Sequence, residues 1–367
     1  MSAFVMRPLD LVIEPEPGNA NEVEGILNPA AARSPKGELY LFPRLVGAGN
    51  FSRIGIAKVL FDTAGEPCGI ERVGIALEPE MPYELRSNGG GCEDPRVTYV
   101  APLKCYLMTY TAFSMEGPRI AFAMSHDLLT WRRLGLASFH SYEGMVFSGI
   151  DNKDASFFPV NIPNPTTGLE LGLLHRPLFP ANLSEESIVL GAGRDTDLKS
   201  ESIWISYSPT VLPKNEIQSI KSFTSLHRVA APISPWESLK IGGGTPPILT
   251  KHGWLVVYHG VSEALQPNTG IEQLNYSAGV LMLSEKNPQV LLYRSQKPLL
   301  NPMPSQKARG TPANVVFPSG IDRRDDLGQK DRFDVYYGMD DFRIGVARLD
   351  IPDVLPVSAT PDLVQRL

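Results

Sequence analysis

Cysteine is scarce in this chain of 367 residues, which holds only Cys68, Cys92 and Cys105. An odd number without C-x-x-C spacing argues against a disulfide scaffold and a cysteine zinc site, and it suits a reducing, cytoplasmic compartment. Long hydrophobic runs are missing as well. Nothing approaches the roughly 20 apolar residues of a membrane-spanning helix, and the opening "MSAFVMRPLDLVIEPEPG" is soon interrupted by Asp10, Glu14 and Glu16, unlike a secretory signal. There is no basic excess: 34 Lys and Arg stand against 40 Asp and Glu, a net charge of −6. With no positive field and no long block of like charge, nucleic acid and membrane are not expected partners. The six histidines include no spaced pair suited to zinc. "DNKD" (151–154) lacks the spacing of a calcium loop, and "IGGGTPP" (241–247) lacks the GxxxxGK[ST] of a P-loop. No metal and no cofactor are expected, and the partner is a small molecule. A homo-oligomer is compatible with this composition.

What the chain does have is punctuation. Gly 32 and Pro 33, spread along the sequence, favour many short strands and turns over long helices, and 43% hydrophobic residues can fill a large core. A faint repeat runs through the strands. "RIGIAKVLFD" (53–62), "RIAFAMSHDLLTW" (119–131), "SIWISYSPTVL" (202–212), "YSAGVLMLSEKNP" (276–288) and "RIGVARLD" (343–350) begin between 66 and 83 residues apart. Each follows a second strand-like run, such as "GELYLFPRLV" (37–46) or "GWLVVYHGV" (253–261), and a polar opening into a third: "NPAAA", "EDPRVTYV", "KDASFFPV", "GGGTPPIL", "NVVFP". A strand triplet repeated five times suits the blades of a β-propeller, whose closure leaves only short sheet edges. The expectation is one all-β domain over 1–367, a five-bladed β-propeller with the site at its central axis, and extensions at about 1–24 and 351–367. One or two β-sandwiches would also space strands by turns. In a propeller, the openings at Asn28, Asp94, Lys153, Gly244 and Asn314 converge at one end of the central channel.

"GGGCEDPRVTYV" (89–100) sets two acids, Glu93 and Asp94, between glycines and a strand, with Pro95 stiffening the exit and Arg96 beside them. Asp94 is a candidate general acid; its plainer reading is a turn cap or a partner for Arg96. Lys153, Arg176, His259 and Tyr276 occupy comparable places in other units. Each alone reads as a strand-end residue; together they are a set of donors suited to phosphate, Arg176 by a forked guanidinium. Trp236, just upstream of Lys240, is either a packing residue or a platform for a sugar ring.

Taken in order, "EGILNPAAARSPKGELYLFPRLV", "FSRIGIA", "GCEDPRVTY", "NKDASFFP", "LLHRP", "WESLKIGGGTPPILTKHGWLVVYHGV", "NVVFPSG" and "DVYYGMDDFRIGVARL" closely resemble the motifs of glycoside hydrolase family 130, the β-mannoside phosphorylases and related β-mannosidases. The resemblance runs from about residue 25 to 350. It implies a five-bladed β-propeller and makes Asp94 the catalytic acid. It further implies that Lys153, Arg176, His259 and Tyr276 bind phosphate, with Lys153 standing where some subgroups carry Arg. Asn28, Arg53 and Asp341 would hold the mannosyl unit, Asp340 being an adjacent alternative to Asp341, and Arg96 and Lys240 join the substrate-binding set.

The implied reaction is inverting phosphorolysis of a β-linked mannoside, of the manno-oligosaccharide or mannosyl-glucose type, giving α-mannose 1-phosphate and the released sugar. An inverting hydrolase needs a second carboxylate to activate water. Phosphate is already an anionic nucleophile, so Asp94 can be the sole acid, passing its proton through a sugar hydroxyl, while Glu93 is structural. The alternative is an inverting β-mannosidase with Glu201 or Glu237 as base; a third reading is a non-catalytic sugar-binding propeller.

Overall fold

Two kinds of strand alternate in this molecule, and their burial explains their sequences. The computed structural model describes residues 3–141, 146–179, 200–208, 220–265, 272–303, 314–329 and 331–357. Its strands fall into five successive antiparallel units. The first is β2 (Gly25–Arg33), β3 (Leu39–Gly47), β4 (Phe51–Phe61) and β5 (Pro67–Leu77); the second is β6 (Gly90–Val100), β7 (Cys105–Ser114), β8 (Gly117–Ser125) and β9 (Arg132–Leu136). The third is β11 (Asp151–Asn164), β12 (Gly168–Leu178), β13 (Ile203–Ser208) and β14 (Ser222–Ala230), with the two-residue β10 (Ser138–Phe139) beside β14. In the fourth, β15 (Lys240–Gly243) and β16 (Ile248–Thr250) share the partner β17 (Gly253–Leu265), followed by β18 (Glu272–Leu283) and β19 (Leu291–Arg294). The fifth is β20 (Asn314–Arg323), β21 (Arg332–Met339), β22 (Arg343–Asp350) and, from the other end of the chain, β1 (Val5–Ile13). Among the described residues the remaining regular elements are three-residue 3-10 turns, such as Pro82–Glu84 and Pro235–Glu237.

The inner strands of a unit are covered on both faces. In β3 every residue of LYLFPRLVG is buried except Arg44, which is half-buried, so these strands read as nearly continuous apolar runs. The outermost strands face solvent on one side. β1 and β5 mix exposed and buried positions, and with polar residues breaking their apolar runs they escape a reading based on hydrophobic runs. The expected strand triplets are therefore all found, the described part of "SIWISYSPTVL" forming β13 while 209–212 lie outside the described residues, and the fourth strands complete each unit. β1 lies within 1–24, the stretch set apart above as an extension; it supplies the edge strand of the last unit.

Packing joins the units in a closed order. The core divides into five clusters, each between consecutive units: Phe42 and Ile54 with Val97 and Tyr110; Leu107 and Phe122 with Phe157 and Leu173; Phe158 and Ile205 with Trp254 and Tyr258; Leu255 and Val257 with Val316 and Val335; and Ile26 and Leu41 with Tyr336 and Val346. The last joins the fifth unit back to the first. Each fully buried Phe or Leu contributes about 1.5–3 kcal/mol relative to exposure, so every inter-unit seam is a substantial apolar contact. The first strands meet in the same order: β2 packs on β6, β6 on β11, β11 on β15, and β20 on β2.

Buried ion pairs pin the turns that lead into two of those first strands. Glu84 accepts hydrogen bonds from Tyr110 Oη at 2.5 Å and Arg133 Nε at 2.9 Å. In the fourth unit Glu237 accepts from Tyr258 Oη at 2.7 Å and lies 2.8 Å from Arg294. The same Pro-aromatic-Glu turn thus anchors the approach to "GGGCEDP" and to "IGGGTPP".

Candidate active site

Three first strands carry the same irregularity. Pairing slips between Leu27 and Ala30 in β2, between Glu93 and Arg96 in β6, and between Lys153 and Ser156 in β11. In each slip one residue has a left-handed backbone: Asn28 (φ 45°), Asp94 (φ 45°) and Asp154 (φ 55°). Asn and Asp are the side-chain-bearing residues that best tolerate this region, and a bulge re-aims a side chain out of the regular alternation. The local backbone therefore selects an acid or amide and points it away from the strand's own rows. In the third unit the matching position is Asp154, one residue after the Lys153 expected there. In the fifth, Asn314 begins β20, while the pairing slip falls at Ser319.

Asp94 is held from two sides. Asn28 Nδ2 donates to Asp94 Oδ1 at 2.8 Å, and Arg44 donates through Nη1 to Asp94 at 3.3 Å and through Nη2 to Glu93 Oε1 at 3.0 Å. Burial alone would raise the Asp94 pKa, but Arg44, the Asn28 hydrogen bond, Lys153 and Arg96 outweigh it, and the carboxyl lies below its ordinary value. Glu93 goes the other way: burial raises it, Arg44 opposes, and the Asp94 charge adds to the rise. Between two acids sharing one guanidinium, Asp94 is the one whose ionised form the surroundings favour. Gly91 makes the approach close, since a Cβ there would lie 2.2 Å from the Ser52 carbonyl oxygen.

A cationic cluster lies beside it. Lys153 and Arg176 face each other across β11 and β12. Arg176 Nε donates to Asp154 Oδ2 at 2.6 Å, Nη1 contacts Glu201, and Glu201 Oε1 is 3.9 Å from Lys240 Nζ. His259 is fully buried, and neither ring nitrogen has a hydrogen-bond partner; its Nε2 is 3.7 Å from Asp154 Oδ2. Burial pushes its pKa down to about 3 against the pull of Asp154, so it is a neutral imidazole with one donor to offer. Lys240 is lowered to about 8 by burial and by Arg176. Asp154 falls well below the carboxylate range: Arg176 above all, with Arg96, overcomes its burial. Tyr276 completes the group, with its ring 6.0 Å from His259 and 5.9 Å from Lys240 Nζ. Burial raises its phenol, so it is a hydroxyl donor.

The other expected residues divide. Asp341 is exposed, yet it feels Arg44 and Asp94: burial of its inner side raises its pKa, Arg44 opposes, and Asp94 and Asp340 add to the rise. Asp340 instead accepts from Arg343 at 3.0 Å, which favours Asp341 as the residue facing the site. Arg53 pairs through Nε with Glu78 at 3.6 Å, without a hydrogen bond at that nitrogen. Arg96 is 1% exposed, and it donates to the carbonyls of Asp94, Pro95, Gly243 and Gly244, so it ties the second unit to the fourth. Trp236 packs over Gly260 and Gly279, where a Cβ would meet its ring within 2.9 Å; it is a packing residue. Glu237, one of two candidate bases, is 0% exposed and paired with Tyr258 and Arg294.

Two central residues were not singled out above. Arg44 is the lone charge in an otherwise apolar strand, which is the signal that could have found it. Asp154 sat inside "DNKD", read there only against a calcium loop. Among the described residues no group of three or more His, Cys, Asp or Glu is placed to hold a metal, and no helix is long and apolar enough to cross a membrane. A groove of about 260 Å³ beside β5, lined by Glu22 and Arg72, includes none of these residues.

The sequence model of a family described as beta-1,4-mannooligosaccharide phosphorylase matches residues 4–359. The 1,2-beta-oligomannan phosphorylase of Thermoanaerobacter sp. (strain X514) is 27% identical over 349 residues, covering 94% of this chain and 96% of its own. The beta-1,4-mannooligosaccharide phosphorylase of Ruminococcus albus is 30% identical over 179 residues, 48% of either chain. Among solved structures, the beta-1,2-mannobiose phosphorylase of Listeria innocua, in complex with beta-1,2-mannobiose, covers 94% of this chain and 97% of that one at 21% identity, with a TM-score of 0.67, a likeness of fold. The chain belongs to glycoside hydrolase family 130.

Proposed function

We propose that this enzyme cleaves a β-mannoside by inverting phosphorolysis, with Asp94 as its acid and Lys153, Arg176, Lys240, His259 and Tyr276 as its phosphate subsite. The observation that carries the reading is His259, buried with both ring nitrogens unpartnered beside Arg176 and Asp154. A buried polar group without a partner calls for a ligand, and cations around it call for an anionic one. The relative matched over nearly its whole length is named as a 1,2-beta-oligomannan phosphorylase, and one matched over about half of its length as a beta-1,4-mannooligosaccharide phosphorylase. We also read the five units, packed in closed order, as the blades of a five-bladed β-propeller whose axis passes between the first strands. The unpaired Cys68, Cys92 and Cys105 support a cytoplasmic setting.

In this mechanism phosphate attacks the anomeric carbon from the α face while the bond to the leaving oxygen breaks. The proton reaches that oxygen from Asp94 through a mannosyl hydroxyl, and the product is α-mannose 1-phosphate. A general acid must carry its proton when the bond breaks. The free site holds Asp94 ionised through Arg44 and, less, through Asn28 and Lys153; a phosphate anion seated on Lys153 offsets part of that effect and moves Asp94 toward its protonated form. In this reading Asn28 orients Asp94, and Asp341 takes hydroxyls of the mannosyl unit. An inverting hydrolase would need a free carboxylate as base. Glu237 is enclosed and Glu201 is engaged by Arg176.

The test is incubation of the purified protein with β-1,2-, β-1,3- and β-1,4-linked manno-disaccharides and with mannosyl-glucose, with and without phosphate. Mannose 1-phosphate formed only when phosphate is present is the expected result, and the disaccharide consumed identifies the linkage. Free mannose released at the same rate without phosphate would overturn the reading in favour of the hydrolase.

Gly242 explains why glycine is needed in "IGGGTPP". A Cβ there would lie 2.2 Å from Asp154 Oδ2 and 2.6 Å from His259 Nε2. Gly242→Ala must push those groups apart, at about 1–3 kcal/mol for overpacking a filled site. The Michaelis constant for phosphate should rise roughly tenfold, with a smaller change for the mannoside, in steady-state kinetics varying each in turn.

A further inference from the structure

We infer that Glu201 is a resident counter-anion of the phosphate subsite, a carboxylate that occupies the anion position in the free enzyme and is displaced when phosphate enters. The inference rests on the reading of this cluster as a phosphate subsite. Arg176 is held by two carboxylates of different standing. Asp154, whose side chain is 2% exposed, takes Nε and is enclosed by Arg176, by His259 at 3.7 Å and by Arg96 at 4.0 Å. It has nowhere to go. Glu201 takes Nη1, reaches toward Lys240 at 3.9 Å, and keeps 26% of its side chain exposed. Its backbone is fixed by the hydrogen bond from Ile241 N to its carbonyl at 3.0 Å and by the parallel bridge to Lys240. With the backbone fixed, displacement takes the form of a rotation of the partly exposed side chain.

A tetrahedral oxyanion that forks onto the outer nitrogens of Arg176 and reaches Lys240 claims the space the Glu201 carboxylate fills. Two like charges do not share it, so phosphate binding is an exchange. The arrangement has a physical reason. A nearly buried guanidinium beside a half-buried ammonium is costly to leave without a counter-charge, and Glu201 supplies one until the co-substrate arrives. It has a functional consequence too: a singly charged anion that makes one contact replaces Glu201 poorly, whereas phosphate, with several oxygens and up to two charges, replaces it well. Glu201 thus sets a threshold that favours phosphate over weaker anions.

Glu201→Gln keeps the shape and removes the charge. The expected result is a roughly 3- to 10-fold fall in the Michaelis constant for phosphate, the scale of a partly exposed ion pair, with the constant for the mannoside unchanged. Inhibition by nitrate should strengthen by a similar factor. Titration calorimetry with inorganic phosphate on the full chain should show the same gain in affinity. A phosphate constant that rises or stays level while the wild type remains phosphate-dependent would overturn the inference and leave the phosphorylase reading standing; a rise would make Glu201 a positioning residue for Arg176. A wild type whose rate ignores phosphate would instead remove the phosphorylase reading, and loss of mannoside cleavage in Glu201→Gln would then mark Glu201 as a hydrolytic base. Glu201→Asp, which draws the carboxylate back from Arg176, provides a second variant with an expected intermediate fall.

Discussion

Asp94→Asn should lower turnover by about 10²–10⁴-fold, the usual contribution of a general acid, while thermal unfolding stays close to that of the wild type. Asparagine is the substitution that isolates the proton. It tolerates the left-handed backbone at φ 45°, and it can still accept from Asn28, now at 2.8 Å from Asp94. No neighbour can replace the lost acid. Glu93 is buried against Arg44, and Asp341, although exposed and raised in pKa, is read here as a sugar ligand. Turnover within a few fold of wild type would sink the assignment of Asp94. If a leaving group that needs no proton, such as an activated aryl mannoside, is cleaved by the variant at a much smaller deficit, the missing function is proton transfer rather than binding.

Arg176→Ala should raise the Michaelis constant for phosphate by roughly 10- to 150-fold, the value of a charge-assisted hydrogen bond to a buried anion. The constant for the mannoside should move far less, because the lost contact is to one co-substrate. Structure adds a complication that the kinetics must separate. Arg176 is also the closest partner of Asp154 at 2.6 Å, and removing it leaves a buried carboxylate with His259 and Arg96 as more distant company, a destabilising change. Arg176→Lys retains a charge near Asp154 and loses the fork. It should fold as the wild type does and still show a raised phosphate constant. Equal effects on phosphate and mannoside in the folded Lys variant would contradict a phosphate role for Arg176.

How much of this was legible beforehand can be read residue by residue. The inner strands announced themselves, because burial on both faces leaves a continuous apolar run: "LYLFPRLV" and "WLVVYHGV" fall within single strands, β3 and β17. The outer strands did not, because one face is wet and residues such as Glu71, Arg72 and Asp10 break the run. Asp94 was visible through its setting of glycines and proline, and its left-handed backbone gives the physical reason for an acid or amide there. Arg96 shows what the sequence hides: only the fold brings the carbonyls of Gly243 and Gly244, some 147 residues away in the chain, within reach of it.

By itself, the sequence determined that the chain is all-β, that it repeats a strand triplet five times, and which polar residues stand at the openings of those repeats. Those properties are local: hydrophobic period, glycine and proline placement, and side-chain chemistry all act over a few residues. Which charges meet was decided only in three dimensions. Arg44 comes from one unit and Glu93 and Asp94 from the next; Asp154 and Arg176 come from the third, and His259 and Lys240 from the fourth. Their pKa values go in opposite directions for neighbouring groups of the same type, Glu93 up and Asp94 down. Burial and Coulomb interactions depend on distances across units, and no spacing within one strand encodes them.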